Sequence, residues 1–70
     1  MKKVIKTFRQ DQKEEALKFK EFFKKTVGIE AKSIFGKDPN GIYPGKVYTI
    51  YLDTEKGYEM YEKAHRAGRI

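Results

Sequence analysis

The sequence has no cysteine and no tryptophan, a single histidine and only two prolines. Without cysteine there is neither a disulfide framework nor a thiolate metal site, and a reducing, cytoplasmic setting is expected. His65 has no cysteine or second histidine with which to share a metal; on the flank of a helix it reads as a partly exposed packing residue. The stretch Met1-Lys2-Lys3-Val4-Ile5-Lys6-Thr7-Phe8 is basic but lacks the apolar run of a signal peptide. No segment approaches the roughly 18 apolar residues that a membrane span requires. A soluble chain with no membrane partner is expected. Arginine is scarce as well, since thirteen of the sixteen basic residues are lysine. Lysine serves solubility as readily as phosphate contact, whereas arginine favours base-edge reading and stacking.

Catalytic motifs are also missing. Gly36-Lys37-Asp38-Pro39-Asn40-Gly41 spaces two glycines five apart, but Ile42-Tyr43 follow where a phosphate loop needs Lys and Ser or Thr. There is no glycine-rich dinucleotide signature, no nucleophile spaced beside a base, and no ligand set for a metal. Asp53 is most economically a helix cap, and Glu55, Glu59 and Glu62 fall on a solvated helix side. No catalytic activity, cofactor or small-molecule ligand is expected.

What is present, above all, is one strongly marked helix over residues 11–28. Asp11 and Glu14 have the spacing of a reciprocal capping box, and Gly28 suits the left-handed position that closes a helix. Lys24 and Lys25 sit where the helix dipole favours cations. Ala16, Phe19, Phe23 and Val27 recur at helical spacing, with Leu17 and Phe22 widening the stripe. Glu14–Lys18 and Glu21–Lys25 support the opposite face as four-apart pairs.

The remaining segments are predicted around that helix. Lys3–Arg9 reads as a strand with broken alternation: Val4, Lys6 and Phe8 would share one face, and Lys3, Ile5, Thr7 and Arg9 the other. Both sets contain apolar groups, so the buried face stays open. Residues 29–36 alternate Ile29, Ala31, Ser33 and Phe35 against Glu30, Lys32 and Ile34, a half-buried strand. Asp38-Pro39-Asn40-Gly41 and Tyr43-Pro44-Gly45 are turns. Lys46–Leu52 is the clearest strand, with Tyr48, Ile50 and Leu52 on one face and Val47, Thr49 and Tyr51 on the other. A second helix, capped by Asp53 or Thr54, runs to about Ala67 with an inward stripe of Gly57, Met60, Tyr61, Ala64 and Ala67.

Seventy residues make one domain, near the size limit for folding without staples. The order strand, helix, strand, strand, helix, with right-handed crossovers, predicts an α+β domain. Its three-stranded antiparallel or mixed sheet has the third strand in the middle and both helices on one face. This resembles a ferredoxin-like βαββαβ fold lacking its last strand, a likeness of architecture alone. Acylphosphatases are built on that fold, but their glycine-rich first loop with its arginine is absent, and Arg9-Gln10 is not that loop.

Binding surfaces are the functional expectation. The uncovered sheet face collects Lys32, Ile34, Val47, Thr49 and Tyr51, with either Lys6 and Phe8 or Ile5 and Arg9. The loop over residues 37–46 carries Ile42 and Tyr43 at its tip, flanked by Lys37 and Lys46. Lys13, Lys20 and Lys24 form a row on the first helix. The net charge is +6, and Lys2, Lys3, Lys6 and Arg9 fall within the first nine residues with no acid among them. Two function classes follow. In the favoured one the chain docks a protein partner, or a second copy of itself, through the open face or a free strand edge. In the other it binds nucleic acid with low specificity through lysines and exposed aromatics.

Overall fold

The computed structural model describes residues 2–70. The elements are β1 (Lys3–Arg9), a short 3-10 turn (Gln10–Gln12), α1 (Lys13–Val27), β2 (Lys32–Lys37), β3 (Lys46–Leu52) and α2 (Glu55–Arg66). The sheet order is β1-β3-β2, and β3 pairs antiparallel with both neighbours. The two outer strands therefore run parallel, joined by the α1 crossover. This is the expected α+β arrangement.

Both helices pack on one side. Phe23 of α1 and Ile50 of β3 have no exposed surface, and Ala16, Ala31 and Leu52 are buried around them. Burying a side chain of this size contributes roughly 1.5–3 kcal/mol. An aromatic row continues the contact: Phe8 lies 5.7 Å from Phe19, Phe19 6.2 Å from Phe23, and Phe23 5.8 Å from Tyr61 of α2. Leu17 and Phe22 do not join the core and stay 53% and 47% exposed. His65 stacks on Tyr61 and donates its Nδ1 proton to the Ile70 carbonyl at 3.1 Å.

The broken alternation of β1 has a structural cause. Val4 pairs with Tyr51 and Lys6 with Ile50, so Ile5 is the extra residue of a β-bulge. Ile5 packs against the core, and the Lys6 ammonium lies over the Phe8 and Phe19 rings at 5.2 and 5.4 Å. Lys3, Ile5, Lys6 and Phe8 thus all serve the helix side, while Val4, Thr7 and Arg9 face away. Neither of the two faces expected from strict period two exists.

The start of α1 also departs from expectation. Asp11 accepts no capping bond, because residues 10–12 form the 3-10 turn, in which the Gln12 side chain accepts from the Arg9 N–H at 3.1 Å. Gly28, at φ 89°, closes α1 and donates its N–H to the Lys24 carbonyl at 2.9 Å. Thr54, rather than Asp53, caps α2, its hydroxyl accepting from the Gly57 N–H at 3.1 Å.

Gly57 is buried where α2 crosses the end of β3. A Cβ there would lie 2.9 Å from Thr54 Oγ1 and 3.2 Å from Ile29 Cδ1. In an exposed helix, Gly→Ala stabilises by about 1 kcal/mol. Here the methyl must displace the capping hydroxyl. Gly57→Ala is therefore expected to destabilise the domain by about 1 kcal/mol in urea unfolding; an increase in stability would show that the close approach is slack.

Candidate functional site

On the side away from the helices, the strand register lays out a three-by-three grid. Its rows are Val4, Tyr51 and Lys32; Thr7, Thr49 and Ile34; and Arg9, Val47 and Gly36. Of the residues expected on this face, Lys32, Ile34, Val47, Thr49, Tyr51 and Arg9 are brought together. Lys6 is not; the bulge places it on the helix side. Val4 and Thr7 join instead, and no period-two reading of β1 identifies that pair.

The face is not uniformly bare. Val47 and Thr49 are only 2% and 5% exposed, although no helix covers them, whereas Val4 and Ile34 are 42% and 50% exposed. The loop that enters β3 closes one end: Pro39 stands beside Ile34 and Thr49, and the Tyr43 ring occupies the space a Cβ on Gly45 would need. Val47 and Thr49 are thus packing residues of this side rather than contact residues. What stays open is a depression of about 310 Å³ lined by Val4, Ile34, Thr49, Tyr51 and Pro39, together with parts of Lys2 and Lys37, and with no carboxylate residue in its wall. The Lys2 ammonium lies 5.4 Å from the Tyr51 ring centre, within cation–π range.

The loop is organised by Asp38. Its carboxylate accepts from the backbone N–H of Asn40 at 3.0 Å, of Ile42 at 3.2 Å and of Tyr43 at 2.9 Å. Its carbonyl accepts from Gly41, at φ 67°, at 3.0 Å. The bonds from Tyr43 and Asn40, with a smaller one from Ile42, hold the carboxyl below its ordinary value, against a small opposing effect of burial. The two tip residues consequently part: Ile42 is 83% exposed, while Tyr43 folds back. The turn is legible in Asp-Pro-Asn-Gly, but the three-amide grip of the carboxylate is not.

The basic groups divide as well. Lys32 forms a 2.6 Å ion pair with Asp53, which raises the lysine pKa and lowers that of the aspartate, chiefly through their mutual hydrogen bond. Arg9 lies 3.8 Å from Asp11. Lys46 sits opposite Lys37, with its ammonium 5.7 Å from the Phe35 ring on the helix side. Phe35 itself packs on Tyr48 at 4.6 Å. With Phe8 also on the helix side, Tyr51 is the one aromatic of the grid.

No protein-family model, curated protein or solved structure matches the chain. Function is therefore inferred from the surface alone.

Asp38 carries a pH prediction. Its folded pKa lies below the ordinary 3.8, so its contribution to loop order is complete above that value and is lost as pH falls through the lower, folded one. The Asn40, Ile42 and Tyr43 amide resonances should titrate together with a midpoint below 3.8, and Asp38→Ala should abolish the step. Independent midpoints, or a shared one above 3.8, would contradict the three-amide grip.

Proposed function

We propose that this chain is a non-catalytic, cytoplasmic module that docks a protein partner on the helix-free face of its sheet. One observation carries the proposal: Val4 and Ile34 stand 42% and 50% exposed around Tyr51, in a depression whose charged lining residues are lysines, Lys2 and Lys37. Apolar groups gathered in a basic frame favour a partner that is apolar at its centre and acidic at its margin. The grid offers threonines, an ion-paired lysine and an arginine, with no base beside a nucleophile, which supports binding rather than catalysis. A second copy of the chain fits less well, because each copy brings a net charge of +6.

Nucleic acid is the competing partner, favoured by the charge. Single-stranded nucleic acid stacks on several aromatics of an open sheet, and here Phe8, Phe35 and Tyr48 lie on the helix side with Tyr51 alone on the grid. Labelled single-stranded RNA and DNA should bind weakly at about 50 mM salt. Tight binding that falls steeply toward about 200 mM would transfer the face to nucleic acid.

A photo-crosslinking side chain at position 4 or 34 is expected to give one dominant adduct with a host protein, and the same group at position 18, on the outer side of α1, none. Val4→Asp combined with Ile34→Asp should weaken capture of that protein roughly tenfold or more while leaving folding nearly unchanged, since both side chains are exposed. Equal adducts from all three positions, or unchanged capture by the double variant, would exclude the face.

A further inference from the structure

The two outer edges of the sheet are built differently. The β1 edge is kinked by the bulge at Ile5 and bears Lys3 and Lys6, whose ammonium groups rest over aromatic rings at 5.0 and 5.2–5.4 Å. Bulges and lysines are the usual protection of an edge against pairing. The β2 edge has neither in its middle. Its six residues pair one to one with β3 without a shift, and no strand lies beyond it. Its two central side chains, Ile34 and Phe35, point to opposite faces and are 50% and 47% exposed. Backbone N–H and C=O groups along its outer side are left to solvent, flanked by apolar side chains both above and below the sheet.

Charge selects the occupant. Lys37 and Lys46 are directly opposed across the β2–β3 pair, an unfavourable placement for like charges. Among the described residues the ion pairs are Arg9–Asp11, Lys32–Asp53 and Arg66–Glu62, so neither of these lysines has an acidic partner. The nearby Asp38 is occupied by loop amides. Lys20 adds a further cation beside the strand, its ammonium 3.3 Å from the Ser33 hydroxyl; Glu30, before the strand begins, is at the other end. A second copy would oppose lysine with lysine. An acidic segment would relieve the repulsion.

We propose that the outer edge of β2 takes an extended, acidic and apolar segment of a partner protein as a fourth strand. Its alternate apolar side chains cover Ile34 on one face and Phe35 on the other, and its carboxylates meet Lys37 and Lys46. Main-chain pairing supplies affinity and the flanking side chains supply choice of sequence. This rests on the protein-docking role given above, since Ile34 belongs to both surfaces, and it adds the mode of pairing and the sign of the partner's charge.

The test uses the full chain and a phage-displayed library of random ten-residue peptides. Enriched peptides are expected to alternate apolar residues with Asp or Glu, and the best of them, made synthetically, should slow hydrogen exchange of amides within residues 32–37. Lys37→Glu should weaken that peptide roughly tenfold while raising the unfolding midpoint, because it turns the opposed lysines into an opposite-charge pair. Lost binding with a raised midpoint cannot be a folding defect. Enrichment of basic or patternless peptides, or no enrichment, overturns the proposal. So does protection of the β2 amides by raising the protein concentration alone, which would assign the edge to a second copy, or their protection by labelled RNA. A peptide that shifts Val4, Thr7 and Tyr51 without protecting β2 overturns strand addition and leaves face docking standing.

Discussion

Two helices can cover only one side of a three-stranded sheet, and that constraint governs the molecule. Phe23 and Ile50, both without exposed surface, sit at the centre of the covered side, and the aromatic row from Phe8 to Tyr61 extends from them. Among the described residues no third layer closes the other side. The eight-residue connection between β2 and β3 borders part of it, with Pro39 beside Ile34 and Thr49 and with Asp38 accepting from three amides of the connection.

The sheet therefore has a helix side that is covered over β1 and β3 but leaves Phe35 of β2 half exposed, and a second side divided in two. Val47 and Thr49 are buried, Thr49 in the wall of an open depression that Val4, Ile34 and Tyr51 also line. The bulge at Ile5 is the device that makes both halves compatible. It turns Ile5, Lys6 and Phe8 toward the helices while sending Val4, Thr7 and Arg9 to the open side. Without the extra residue, either Ile5 or Phe8 would face solvent.

Much of this was legible in the residues. The stripe of α1, the closing Gly28, the presence of β2 and β3 and the strand order all follow from spacing and turn chemistry, although β2 begins at Lys32, three residues later than the alternation from Ile29 suggests. The close approach at Gly57 also followed, since a glycine inside a helix asks for a packing reason. The rest depended on choices that local sequence leaves open. A bulge is signalled only as broken alternation, so period two leaves the buried face of β1 open and groups Val4 with Lys6 and Phe8, which the bulge separates. Asp53 and Thr54 were equivalent caps until Lys32 drew the carboxylate away. Asp11 and Glu14 had capping-box spacing, yet Gln12 took the Arg9 amide and the helix began later. Burial of Val47 and Thr49 on the helix-free side is not something that alternation along a strand encodes.

The helix-free side of the sheet is buried at Val47 and open at Val4 and Ile34. Methyl NMR of the full chain with a soluble paramagnetic cosolute measures that division directly. Ile34 and Val4 methyls should relax strongly, while Val47 methyls should be shielded nearly as well as those of Ile50 on the helix side. If Val47 relaxes as fast as Ile34, or Ile34 is as shielded as Ile50, the face is not divided as described and the proposed docking surface loses its basis.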